Sequence, residues 1–193
     1  MVNIPLKIRV LMFLIEQRDE KTNIAIISNH LGINYKNVYS VVKKLAADGI
    51  ISLEKFGRTN ICTLVNRNNP LIFWAEYVRR ERLLKDRGFK VIYDTLNLLR
   101  FPFECLIFGS YAKNSVTRAS DIDLMVIADQ DREKLIRRAL SVIPLDIHLT
   151  FLTEEEFLTM AGSNTFNVVS EALKKNIILI GIEDHYRRLE YAG

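Results

Sequence analysis

Cysteine is scarce. Cys62 and Cys105 are the two in 193 residues, and both sit inside apolar segments. A disulfide framework and a cysteine-rich zinc cluster are thereby excluded. Four prolines and eight glycines are too few for a collagen-like fibre or a low-complexity linker. No run of about 18 apolar residues occurs, so no membrane partner is expected. The first apolar stretch, Val10–Ile15, spans six residues between Arg9 and Glu16. It is too short for a signal-peptide core, and no small-residue cleavage site follows. The expected setting is the cytoplasm. What is present is ordinary globular material, enough for one large domain or two small ones.

The net charge of +4 is unevenly spread. Residues 1–66 hold nine Lys/Arg against five Asp/Glu, residues 67–100 eight against four, and residues 101–193 ten against fourteen. A basic front and an acidic back suggest modules that face different partners, nucleic acid being one candidate for the basic part. The expected organisation is a first domain over 1–66, a helical connector over 67–100 and a second domain over 101–193.

In the first domain, Pro5 opens a largely buried helix carrying Leu6, Val10 and Leu14. Asn23 caps a short helix over Ile24–His30, which Gly32 ends. Asn34 caps a third helix over Tyr35–Ala47, with Val38, Val41, Val42 and Leu45 forming its buried stripe. Two strands follow, near Ile50–Lys55 and Asn60–Val65. The turn Leu31-Gly32-Ile33-Asn34 between short helices, followed by a hairpin, resembles the winged helix-turn-helix of transcription regulators. That resemblance implies that the third helix enters the DNA major groove. Its exposed face would be Tyr35, Lys36, Asn37, Tyr39, Ser40, Lys43 and Lys44, with Lys55 and Arg58 on the wing. Lysines and hydroxyls suit phosphates, and Asn37 suits a base edge. The alternative is a winged helix used for dimerisation or protein docking.

In the connector, Asn69-Pro70 opens a helix expected to run from Leu71 to about Arg87, where Gly88 interrupts it. A second helical stretch, Phe89–Leu99, places Ile92, Leu96 and Leu99 on one face. The cations from Arg79 to Arg87 alternate with Glu81 and Asp86 and read as a solvated face; phosphate binding is the other reading.

The second domain holds the chemistry. Leu106-Ile107-Phe108 reads as a buried strand, followed by Gly109-Ser110. After ten intervening residues comes Asp121-Ile122-Asp123-Leu124, a second strand that starts with two acids. Residues i and i+2 of a strand share a face, so the two carboxylates project together while Ile122 points to the core. Carboxylates placed side by side repel unless a cation joins them. Magnesium takes hard oxygen ligands and leaves positions for phosphates and water. A Gly-Ser turn lets backbone N–H groups approach a phosphate. A third strand, Leu145–Thr150, places Asp146, His148 and Thr150 on one face. Beside the second strand, Asp146 would complete three acids, able to hold two ions about 3.5–4 Å apart. For His148, a local hydrogen bond is the favoured reading. Thr153 with Glu156 forms a capping box, and His185 reads as structural or exposed.

Phe108-Gly109-Ser110, ten residues, then Asp121-Ile122-Asp123-Leu124 resembles the signature of the DNA polymerase beta nucleotidyltransferase superfamily, in particular its minimal nucleotidyltransferases. The similarity covers about residues 89–182. It implies an α+β domain with a small mixed sheet flanked by helices, joined here to a winged helix. It also implies transfer of a nucleoside monophosphate, AMP from ATP, to an acceptor hydroxyl with two magnesium ions. Asp121 and Asp123 would ligate the metals, Asp146 would be the third, catalytic acid, and Gly109, Ser110, Lys113 and Ser120 would hold the nucleoside triphosphate. Asn114 departs from the family, many minimal members having glycine there.

Minimal members often work beside a small helical partner protein, which the resemblance makes a candidate acceptor. The competing function is a DNA-binding regulator whose second domain senses nucleotide or docks a partner. A winged helix with a connector helix is compatible with a homodimer on palindromic DNA.

Overall fold

The computed structural model describes residues 3–18, 20–65, 68–113, 115, 117, 120–163 and 165–192, with 191 and 192 by backbone alone. Asn114 and the boundary expected at 66 and 67 lie outside the described residues. The chain divides into two compact units, residues 1–75 and 76–193.

In the first unit, α1 (Leu6–Glu16), α2 (Ile24–Leu31) and α3 (Tyr35–Ala47) precede an antiparallel hairpin of β1 (Ile51–Phe56) and β2 (Thr59–Leu64). Asn23 and Asn34 cap α2 and α3, accepting from the backbone N–H of Ile26 at 3.0 Å and of Lys36 at 2.9 Å. These bonds satisfy donors that have no partner inside the helix. α3 buries Val38, Val42 and Leu45. Val41, expected in the same stripe, is half-buried, because 100° steps put it at the stripe's edge. The Cys62 N–H donates to the Thr22 carbonyl at 2.7 Å and stitches the hairpin to the segment before α2. Burial pushes the Cys62 thiol up to about 11, so it carries little reactive thiolate at neutral pH.

The division falls within α4 (Pro70–Leu83). After it come α5 (Arg87–Asn97), β3 (Glu104–Ile107), α6 (Gly109–Ala112), β4 (Ile122–Ile127) and α7 (Glu133–Ser141). Then follow β5 (Ile147–Leu152), α8 (Glu154–Ala161), α9 (Val168–Lys174), β6 (Ile177–Ile180) and α10 (Ile182–Ala192).

The expected connector helix needs correction. α4 ends at Leu83, and Gly88 lies inside the first turn of α5. Asp86 caps α5, its carboxylate accepting from the N–H of Gly88 at 2.7 Å and of Phe89 at 3.4 Å. An aspartate cap satisfies first-turn donors and starts a helix where glycine alone suggested an end. The solvated reading of the cationic run also fails at Arg79, which is buried. It donates to the Glu76 carboxylate at 2.5 Å and to the Asn176 carbonyl at 2.7 Å.

The sheet of the second unit has the order β5-β4-β3-β6. β3 pairs antiparallel with β4 and β6, and β4 pairs parallel with β5 through the α7 crossover. One face carries Cys105, Ile107, Ile122, Leu124 and Val126 against Phe89, Ile92 and Leu96 of α5 and Ile136 and Leu140 of α7. The alternate side chains, Leu106, Met125 and Ile178, are buried on the other face. β5 starts at Ile147, two residues later than expected. The capping box of α8 forms as expected, Glu156 N–H donating to the Thr153 hydroxyl at 3.3 Å.

Glu104 turns a fully buried carboxylate to the second face. His185 Nδ1 lies 2.6 Å from one of its oxygens, and Arg188 pairs with the other while reaching Glu154 at 3.2 Å. His185 is thus buried. Removing one partner of a buried charge group strands the others. Glu104→Ala is therefore expected to cost about 3–5 kcal/mol, or roughly 10 °C in the thermal unfolding midpoint. A fall below about 2 °C, within the range of surface substitutions, would show that the group contributes nothing net.

Candidate active site

Two backbone hydrogen bonds assemble one end of the sheet. The Phe108 N–H donates to the Asp123 carbonyl at 3.1 Å, and the Ile122 N–H to the Asp146 carbonyl at 2.9 Å. The start of α6, the start of β4 and the approach to β5 are thereby held side by side. In the parallel register Ile122 faces Ile147 and Asp123 faces His148. The same register, continued by one residue, sets Asp121 beside Asp146. Since alternate strand residues share a face, Asp121, Asp123, Asp146 and His148 lie on one side of the sheet.

Gly109 has φ +66, and a Cβ built on it would overlap the Asp123 carboxylate, with Cγ only 3.0 Å away. The Asp123 side chain occupies the room that a side chain at 109 would need. Asp123 Oδ2 faces Gly109, while Oδ1 stands 3.3 Å from His148 Nδ1. Asp123 is half-buried; Asp121 and Asp146 are exposed.

The other expected residues divide. Ser110 follows Gly109 in the first turn of α6. Lys113 caps the end of α6 and pairs with Glu171 of α9, Nζ to Oε1 2.5 Å. Ser120 closes a turn, its hydroxyl accepting from the Thr117 N–H at 2.9 Å. Glu171 escaped the sequence reading because it lies 58 residues from Lys113 and only the packing of α9 brings it there. The first-unit set of Tyr35, Lys36, Asn37, Tyr39, Ser40, Lys43, Lys44, Lys55 and Arg58 is exposed.

Among the described residues, no three His, Cys, Asp or Glu side chains converge closely enough to hold a metal ion. Asp121, Asp123 and Asp146 nonetheless bring hard carboxylate oxygens to this end of the sheet, the donor type that magnesium takes.

Residues 94–185 match the family model described as Polymerase beta, Nucleotidyltransferase. No curated protein and no solved structure matches the chain. The matched segment spans β3 through β6 and contains every acid at the sheet end. The second unit thus carries a segment similar to the polymerase beta nucleotidyltransferases, and a nucleotidyltransferase-like function is supported for it. The mixed four-stranded sheet with flanking helices fits such a domain. The first unit lies outside the match. Among the described residues, no helix is long and apolar enough to cross a membrane.

The seat of Asp123 on Gly109 generates a prediction. Gly57 also has a positive φ, +59, but open space around its Cα. Gly57→Ala should cost only backbone strain, about 1–2 kcal/mol. Gly109→Ala should cost more, because it also displaces a carboxylate. The double variant Gly109→Ala/Asp123→Ala should recover part of that excess in a thermodynamic cycle. Equal costs for both glycines would remove the steric argument.

Proposed function

We propose that the second unit transfers a nucleoside monophosphate, AMP from ATP, to a hydroxyl of a macromolecular acceptor. The observation that carries this reading is the Asp123 carboxylate seated on a side-chain-free Gly109, with Asp121 and Asp146 at the same sheet end. Asp121, Asp123 and Asp146 would hold two magnesium ions, whose charge would neutralise the triphosphate and the leaving pyrophosphate.

The chain's own residues do the rest. Gly109, lacking a side chain, admits phosphate oxygens to the backbone at the start of α6. Ser110 adds a hydroxyl donor, and Lys113 exchanges Glu171 for a phosphate. Asp146, exposed at the mouth of the site, accepts the proton of the acceptor hydroxyl. That oxygen bonds to the α-phosphorus as the bond to the bridging oxygen breaks, and pyrophosphate leaves. Catalysis on this reading is mostly positioning and charge complementarity.

A second activity is favoured by one observation in the first unit. α3 buries Val38, Val42 and Leu45 and leaves three lysines, two tyrosines, Asn37 and Ser40 exposed. Tyr35 and Tyr39 stack on that surface with centroids 6.2 Å apart. Together with Lys55 and Arg58 on the hairpin, these exposed cations and polar groups suit contact with DNA phosphates and base edges, and we propose that role for the surface. A regulator whose second unit only senses nucleotide would use the same surface.

Two experiments test these readings. Protein incubated with magnesium and ATP labelled at the α-phosphate, with cell extract, should pass label to a macromolecule, and Asp123→Asn should abolish this. Bound ATP without transfer would overturn catalysis and leave the sensing regulator. For DNA, replacing Lys36, Lys43 and Lys44 with Ala should weaken binding and lower the slope of log K against log salt by roughly three. An unchanged slope would assign the surface to protein docking.

A further inference from the structure

The two edges of the second unit's sheet are finished differently. β6, at one edge, is four residues long, and two guanidinium groups of α4 lie on it. Arg79 donates to the Asn176 carbonyl at 2.7 Å and Arg80 to the Leu179 carbonyl at 3.3 Å. β5, at the other edge, is six residues long, and among the described residues no strand pairs with its outer side. It contains no proline, no glycine and no Lys, Arg, Asp or Glu, the residues that keep an edge from pairing. Ile147, Leu149 and Phe151 are only partly buried. An apolar groove of about 270 Å3 lies beside them, lined chiefly by Leu140, Ile143, Leu145, Ile147 and Leu149.

The ladder to β4 fixes what the free edge offers. The Ile122 N–H donates to the Asp146 carbonyl and the Ala128 N–H to the Leu152 carbonyl. The even-numbered residues of β5 therefore turn their backbone groups to β4, and the alternate residues turn theirs away. Ile147, Leu149 and Phe151 thus present N–H and C=O groups outward, where each needs a partner or water. An antiparallel copy of the same strand meets this need most fully in the register centred on Leu149. Leu149 then faces its own copy and Ile147 faces Phe151, so that all three outward residues exchange both hydrogen bonds. The same register sets apolar side chains against apolar side chains on the groove face and His148 opposite Thr150 on the other. The strand brings no like charges together.

We infer that two copies of this chain join through β5, antiparallel about a two-fold axis at Leu149, and so merge their four-stranded sheets into one of eight strands. Phe151 of each copy faces Ile147, at the groove, of the other. This association needs neither nucleotide nor DNA.

Sedimentation of the full chain, without nucleotide or DNA, tests it. The expected species has twice the 22.3 kDa monomer mass. Leu149→Pro removes an outward N–H from the centre of the interface and no donor to β4. It should convert that species to monomer at the same concentration while cooperative thermal unfolding persists. Leu149→Cys gives a second reading that does not depend on proline being tolerated. Cα atoms of such a pair lie about 5.5 Å apart, within disulfide reach, so mild oxidation should link the two copies. Val91→Cys, at an exposed position on α5, should not link them, and Cys62 and Cys105 are buried. A monomer at every concentration overturns the inference and leaves the edge to a strand of another protein. A folded Leu149→Pro variant that stays dimeric, or a dimer that Leu149→Cys does not cross-link, overturns it as well and moves the interface to another surface.

Discussion

β4 is hydrogen-bonded to antiparallel β3 on one side and to parallel β5 on the other, and this double register positions the whole candidate site. The antiparallel pairing sets Asp123 against the end of β3, where the chain turns through Gly109. The parallel pairing sets Asp146 and His148 beside Asp121 and Asp123. A slip of one residue in either ladder would rotate the acids into the hydrophobic core and turn Ile122 and Leu124 to solvent. The apolar side chains that pin the register are therefore also what keep four polar groups together at one sheet end.

The second face of the sheet is tied down differently. Glu104 shares its buried carboxylate between His185 and Arg188, and Glu76 bonds both Arg79 and the Tyr186 hydroxyl, the latter at 2.7 Å. Tyr77 pairs with Glu183, which holds the phenol above its ordinary value. These contacts join α4 and β3 to α10 through directional bonds where one more apolar layer would have sufficed. Buried ion pairs contribute little net stability, but each group is costly to leave unpaired. The arrangement thus selects one packing of α10 over others that would bury similar apolar area.

Much of the second unit was legible from local signals. The spacing from Phe108-Gly109-Ser110 to Asp121-Ile122-Asp123 marks a strand, a turn and a strand, because each residue type has a local job there. Asn23, Asn34 and Thr153 announced their helices through short-range capping chemistry. Where two local signals competed, the reading went astray. Gly88 suggested a helix end, but Asp86 starts α5 two residues earlier. Arg79 looked solvated beside its charged neighbours because nothing nearby in the chain shows that Asn176 would offer it a carbonyl.

By itself, then, the sequence determined most of the elements and the paired acids, since capping and alternation act over a few residues, whereas the crowding of Gly109 by Asp123 comes from strand pairing. The tertiary structure decided that Asp146 and His148 come alongside Asp121 and Asp123, and that Glu171 takes Lys113. It also decided that Glu104, His185 and Arg188 close around one another. Each of these depends on strand order or helix docking between segments tens of residues apart, and hydrophobic burial sets such packing without leaving a local mark in the chain.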